Sequence, residues 1–274
     1  NDEPPILMVV CGTHGAEMEG VVGAVNLMEV LERGKDLTGQ EWPTLVQLAE
    51  GVRIVIIPLH NPDGRARVKP WTLVGCSREE FRYWAQGVWR NGSLIGWPEC
   101  KRYQPLPPTE VGYLGGYPNA DGWNLMHDVV ASGPRAPEAK MQLQLVERER
   151  PDCVVHNHSS ERPPFFIEAD PLLPEVYQRV QRDMGSRLYA ALSQRGLRPE
   201  PRPAQVRKRP VFNLATANFA SSGTLPLVFE CPHGIAETPF SLEEILNIQL
   251  TMFEVVLRGL VEIPIRVREL LQQL

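Results

Sequence analysis

Ile6-Leu-Met-Val-Val-Cys-Gly-Thr-His14-Gly-Ala-Glu17-Met-Glu19-Gly20 decides the fold. Its first six residues form an unbroken apolar run bounded by Pro5 and Gly12, the pattern of a strand buried on both faces. From Glu17 the spacing turns helical. Val21, Val22, Ala24, Val25, Leu27, Met28, Val30 and Leu31 recur up to Arg33, and Gly34 supplies the stop. A buried strand that runs through a glycine-rich turn into a helix is a building unit of an α/β sheet.

The same alternation continues outward. Arg53 to Leu59 reads as a second buried strand that ends at Asn61-Pro-Asp-Gly64, a turn by its composition. Helices are expected over Thr44–Glu50, Pro137–Arg150, Pro174–Arg195 and Leu242–Arg258, and strands over Asp152–Asn157 and Leu225–Glu230. There are no repeats. The pattern predicts a single α/β domain over residues 1–274, with a mostly parallel sheet covered by helices on both faces. A chain of 274 residues, 43% hydrophobic, is long enough to bury one large core. The stretch at about 65–120 departs from the alternation. Rich in Trp, Pro and Gly, it reads as a loop insertion of the kind that forms a lid or pocket wall, its aromatic rings serving either an apolar pocket or core packing.

Composition excludes several function classes. The formal net charge is -5, and no Lys/Arg run interleaves with aromatics, so a nucleic-acid surface is not expected. Ile6–Cys11 and Ile54–Leu59, the longest apolar stretches, fall far short of the ~20 residues of a membrane span. No signal-peptide pattern is visible at Asn1. The five cysteines are odd in number and include no C-x-x-C pair, which fits a reducing cytoplasm better than a disulfide framework.

Five of the six histidines, His14, His60, His156, His158 and His233, fall at or just past the end of an expected strand. The sixth, His127, follows the Gly- and Tyr-rich loop of residues 112–118. Ligands of open α/β sheets bind beyond the carboxyl ends of the strands, so site chemistry belongs at such positions. His14 and Glu17, three apart at a strand-to-helix turn, can converge on one metal ion. An acidic first turn favoured by the helix dipole is the plainer alternative. In His156-Asn-His158-Ser-Ser160 the two histidines share one side of a regular strand. Either would complete a three-ligand zinc set with one open position, leaving the other to support it. Glu230 ends the apolar run Leu225–Phe229, where an unpaired acid is costly. A general base beside an activated water explains it; so does a salt bridge to an arginine.

Taken in order, these segments resemble the zinc carboxypeptidases. That family carries His-x-x-Glu after a strand, then Asn-Pro-Asp-Gly, then a Gly-Val-Asn-Leu-Asn-Arg-like segment, a His-Ser after a strand, and a Phe-Glu ending a late strand. The counterparts here are His14-Gly-Ala-Glu17, Asn61-Pro-Asp-Gly64, Gly122-Trp-Asn-Leu-Met-His127-Asp128, His158-Ser159 and Phe229-Glu230. The resemblance implies a mixed sheet of about eight strands and one zinc ion per chain, held by His14, Glu17 and His158. His158 is preferred over His156 because serine follows it, as in the family. Glu230 becomes the general base and proton shuttle. An arginine of a Trp-Arg-Lys-like segment stabilises the oxyanion in the family; Trp89-Arg90-Asn91 is the nearest match, so Arg90 is the candidate, with Arg78 and Arg82 as alternatives. Asn124, His127 and Arg162 are the candidate substrate contacts.

Two departures bear on substrate. The Asn-Arg pair that clamps a C-terminal carboxylate in the family falls on Met126-His127, and histidine lacks arginine's permanent bidentate charge. Either another arginine, such as Arg162, does that work, or the substrate has no carboxylate there. The region from Leu197 to Val228 also lacks the mobile tyrosine usual in the family. The expectation is therefore a zinc-dependent hydrolase that cleaves an amide bond in a small peptide or peptide-like substrate. A second reading is an N-acyl amino acid amidohydrolase of the aspartoacylase and desuccinylase type, which shares Gly-x-His-Gly-x-Glu but carries an Asp-Leu-Asn-Arg segment missing here. A third is a zinc-binding protein without catalysis, against which Glu230 stands. The oligomeric state is not legible.

Overall fold

The computed structural model describes residues 3–129, 133–201 and 206–262. In chain order the elements are β1 (Ile6–Cys11), α1 (Met18–Arg33), α2 (Pro43–Ala49), β2 (Arg53–Ile57), α3 (Pro62–Arg67), α4 (Arg78–Gln86), β3 (Val88–Trp89) and β4 (Val111–Tyr113). There follow α5 (Pro137–Glu149), β5 (Cys153–Ser160), β6 (Phe165–Phe166), α6 (Glu175–Gln194), α7 (Leu214–Ser222), β7 (Leu225–Pro232) and α8 (Leu242–Glu262). The central sheet has the order β2-β1-β5-β7-β6. Its first four strands are parallel, and the short β6 runs antiparallel to β7.

The alternation of side chains along each strand divides the molecule into two layers. Leu7, Val9 and Cys11 of β1, with Cys153 and Val155 of β5 and Leu227 and Phe229 of β7, bury into a large core with α1, α6 and α8. Met8, Val10 and Val154 face the other way, against Val146 of α5. His156, His158, Val228 and Glu230 share the parity of this second face. All the chemistry-bearing side chains of β5 and β7 thus point to one layer, while Asn157, between the two histidines, points to the other and exchanges amide hydrogen bonds with Gln249 of α8.

The described residues form seven strands, five central and two in the separate β3–β4 hairpin, against the eight or so implied by resemblance. The proline-rich stretch at about 65–120 contributes that hairpin, α4 and a short 3-10 turn at Glu99–Lys101 but no strand to the central sheet, because proline cannot donate into a ladder. Asn61-Pro-Asp-Gly64 is not a free turn. Asn61 caps α3 by accepting from the Gly64 N–H, with Pro62 in the first helical turn, where its missing N–H costs nothing. The tryptophans do not line one pocket: Trp71 and Trp97 are 87% and 75% exposed. Trp84 and Trp89 pack against the small cluster of Phe81, Ile95 and Leu106. No helix among the described residues is long and apolar enough to cross a membrane.

Three loops close on the end of β1. The Gly15 N–H donates to the Gly116 carbonyl at 2.7 Å, and a Cβ on Gly15 would overlap the backbone of Gly64 and Arg65. Asn61 holds the contact from beneath, its Nδ2 donating to the carbonyls of Thr13 (3.3 Å) and Tyr117 (3.1 Å). Backbone cannot retreat as a flexible side chain can. Gly15→Ala is therefore expected to cost about 3 kcal/mol or more of folding stability in urea denaturation, the upper end of overpacking. A change under about 1 kcal/mol would show that the loops are not packed this way.

Candidate metal centre

Gly12 leaves β1 in a left-handed conformation, φ +62°, and turns the chain so that His14 and Glu17 face β5. The Glu17 N–H donates to the His14 carbonyl, and α1 begins one residue later. His14 Nδ1 lies 2.7 Å from Glu17 Oε1, and His158 Nδ1 lies 2.8 Å from Glu17 Oε2. All three side chains are buried, and one ligand atom from each lies within 4.8 Å of the others. Burial alone would raise the Glu17 carboxyl. The charges of His14 and His158, with their hydrogen bonds, outweigh it and hold the group well below the usual carboxylate range.

The hydrogen bonds around His14 fix its tautomer. Asn124 donates through Nδ2 to the Cys100 carbonyl (2.8 Å) and accepts at Oδ1 from the Met126 N–H (3.1 Å), so its amide has one orientation. His14 Nε2, 3.2 Å from that Oδ1, must therefore donate. A neutral His14 then presents a bare lone pair to the Glu17 carboxylate. Two acceptors 2.7 Å apart require a cation between them, either a second proton or a metal ion. Two imidazole nitrogens and one carboxylate, with the outer nitrogen of one ring anchored, fit the donor set and supporting shell of a metal such as zinc.

The other histidines are sorted by their partners. His156 Nε2 accepts from Asn218 Nδ2 at 2.7 Å, burial keeps it neutral, and it lies outside the ligand cluster. The cluster whose ligand atoms could meet at one metal ion contains His158 and not His156. His60 donates from Nε2 to the Glu138 carbonyl and accepts at Nδ1 from Thr13, bracing the residue before His14; burial drives it down to about 4. His233, fully buried against Phe81, pairs through Nδ1 with Glu19 at 3.1 Å.

Glu230 sits on β7 in register with His158 on β5 and is half-buried. Burial is the main cause that pushes its carboxyl up to about 7; the His158 charge opposes this and the Glu17 charge adds to it. No arginine salt bridge to Glu230 is present among the described residues.

The expected substrate contacts separate. Asn124 has both ends of its amide committed to the site's own framework, so it positions His14 rather than a substrate. His127 is buried with Tyr103 edge-on at 5.2 Å, and burial lowers it to about 3. Arg162 is exposed, turned to Glu200 at 3.1 Å and stacked on Phe165. Arg78 and Arg82 pair with Glu161. Arg90 is exposed in the β3–β4 hairpin, its backbone N–H bonded to Glu110. Besides His158, the cation whose charge acts on both Glu230 and His127 is Lys101, next to the Cys100 carbonyl that anchors Asn124. Sequence reading missed Lys101, because its loop has no periodic pattern. It also missed Tyr117, whose ring stacks on His14 at 4.1 Å.

Residues 1–160 match the model of the zinc carboxypeptidase family. Among solved structures, a metallo-carboxypeptidase from Burkholderia cenocepacia shares 16% identity at TM-score 0.60, over 95% of this chain and 58% of its own. A metallo-carboxypeptidase from Pseudomonas aeruginosa, in complex with (2-guanidinoethylmercapto)succinic acid, shares 17% at TM-score 0.60, over 95% and 58%. Carboxypeptidase A from Helicoverpa armigera shares 12% at TM-score 0.54, over 92% and 59%. This chain therefore spans less than three fifths of their length. A comparison with curated protein sequences gives no match.

Metal analysis of the purified chain should find one divalent ion, lost or strongly weakened in His14→Ala and His158→Ala and retained in His156→Ala. Asn124→Leu should weaken the metal roughly 10- to 100-fold by freeing the His14 ring. Full occupancy in both ligand variants would sink the assignment.

Proposed function

The chain belongs to the zinc carboxypeptidase family, and from that premise we propose that it is a zinc-dependent hydrolase of amide bonds in small peptide or peptide-like substrates, with Glu230 as general base. The observation that carries this reading is the level pairing of His158 and Glu230 on adjacent strands. One strand brings a metal ligand, and its neighbour brings a half-open acid whose carboxyl sits near neutrality.

Zinc, when bound, supplies Lewis acidity that acidifies a water and polarises a carbonyl. Glu230 takes the proton from the attacking water and hands it to the leaving nitrogen. A carboxyl near 7 is suited to both halves of that task, ionised before attack and protonated after it. Lys101 supplies the fixed positive charge for the oxyanion, the role expected at first for Arg90. The loop that carries Lys101 is anchored through Cys100 and Asn124 to His14, so the charge and the metal ligand share one support. His127 is neutral near pH 7 and takes no part as a charge.

Glu230→Gln should keep its metal and lose turnover of blocked dipeptides by about three orders of magnitude or more, since base and shuttle go together. A near-normal rate would remove Glu230 from the mechanism. Because the base must be ionised, kcat/KM should rise with pH along an acid limb. Its midpoint lies at or below about 7, since a neighbouring dication favours the ionised form. A limb that persists unchanged in Glu230→Gln would belong to another group. Lys101→Met should lower kcat roughly 100-fold with little change in KM, as loss of an oxyanion partner does. A purely KM effect would assign Lys101 to substrate binding instead.

A further inference from the structure

Glu19 and His233 are buried beside the metal cluster and take no part in it. His233 Nδ1 lies 3.1 Å from Glu19 Oε1. Oε2 of Glu19 and Nε2 of His233 have no hydrogen-bond partner. Each side chain therefore depends on this one bond, and either alone would be a polar group buried without compensation. The charges on the elements packed around the pair are committed elsewhere. On α1, Glu17 faces the rings of His14 and His158. On α4, which packs Phe81 against the His233 ring, Glu80 closes the cap with Ser77, and Arg78 and Arg82 pair with Glu161. Glu237 accepts from the Arg78 N–H. Burial works against a proton on His233, and the charges of Glu19, Glu17 and Glu230 outweigh it.

The two residues belong to the two halves of the site. Glu19 is in the first turn of α1, two residues after Glu17. That turn presses on β5, for a Cβ on Gly20 would come within 2.9 Å of the Asn157 carbonyl. His233 follows β7, three residues after Glu230. Pro232 ends the strand with no N–H to give, so the His233 N–H holds this end to β5, donating to the Ser160 carbonyl at 3.0 Å. On its other side β7 has only the two-residue β6. One side-chain bond thus joins the turn that brings Glu17 to the strand end that brings Glu230. The backbone of His233 meets β5 two residues beyond His158.

We propose that the Glu19–His233 pair is a clamp that sets the position of Glu230 against the metal ligands, with His233 as a positioning residue for the hydrolase inferred above. The proposal rests on that reading for the role of Glu230. A carboxylate–imidazole bond fixes distance and direction, which apolar contact does not. Reacting groups are sensitive to displacements of about 1 Å. The His233 charge also acts on Glu230 directly.

Glu19→Met, His233→Phe and the double variant test the clamp in the zinc-loaded chain. Each single change strands a buried partner, whereas the apolar double removes both and is the variant to use if the singles do not fold. Turnover of blocked dipeptides should fall about 100-fold in kcat, with KM and zinc content little changed. The loss should be the same in all three variants, because the two residues act through one bond. Glu19→Gln, which can still accept from Nδ1, should keep part of kcat. Hydrogen exchange gives a reading without activity. Glu19→Met should speed exchange in the peptide that spans Glu230–Gly234, and His233→Phe in the peptide that spans Glu17–Gly20. A kcat that recovers with stability in the double variant would make the pair structural only and overturn the proposal. So would an unchanged kcat, zinc loss in step with kcat, losses that add in the double, or exchange changes confined to the substituted segment. Exchange needs no turnover, so an inactive wild-type chain would count against the hydrolase reading and leave the exchange result to decide the clamp.

Discussion

Glu17 is a carboxylate almost without access to water, and its two oxygens face two imidazole nitrogens at 2.7 and 2.8 Å. An ion in such a place costs several kcal/mol unless its partners are close and correctly aimed. The pairing therefore has to be held rigidly, and much of the surrounding structure does that. Asn124 fixes one ring, Tyr117 covers its face, His60 and Asn61 hold Thr13, and three glycine-containing loops close over the turn. The anchored tautomer of His14 adds the chemical demand. Its free nitrogen points at a carboxylate, and only a cation makes that arrangement favourable.

Strand parity then separates support from chemistry. Asn157 turns into the large core and locks to α8, whereas His156 and His158 turn to the opposite layer. Those two histidines differ in depth. The deeper one is closed off by Asn218, and the one nearer the strand end meets Glu17 and stands level with Glu230. The shift in Glu230 follows from the same placement: a carboxyl withdrawn from water, beside another carboxylate, holds its proton more tightly.

Much of this was legible in the sequence because strong periodicity and short-range geometry carry it. Apolar runs mark the β1–α1 unit and the later helices, and His14, Glu17, the pair His156 and His158, and Glu230 stand at their ends; the preference for His158 and the role of Glu230 come from the resemblance to the zinc carboxypeptidases. Asn61-Pro-Asp-Gly64 was legible as a break but not as a helix start, although asparagine before proline is a capping signal. The long stretch after β2 resisted reading because its order comes from tertiary contacts between loops. Lys101 and Asn124 became informative only when folding brought Cys100 against Asn124. Arg90 was placed by a local tripeptide match, and in the fold it lies exposed on a hairpin.

X-ray absorption at the zinc edge of the loaded chain tests most directly whether His14, Glu17 and His158 hold one metal ion with a coordination position left for reaction. The expected result is a four-coordinate shell of nitrogen and oxygen at about 2.0–2.2 Å, with the outer-shell scattering of two imidazoles. A shell that contains sulfur at about 2.3 Å, or one made only of oxygen with no imidazole signature, would contradict it.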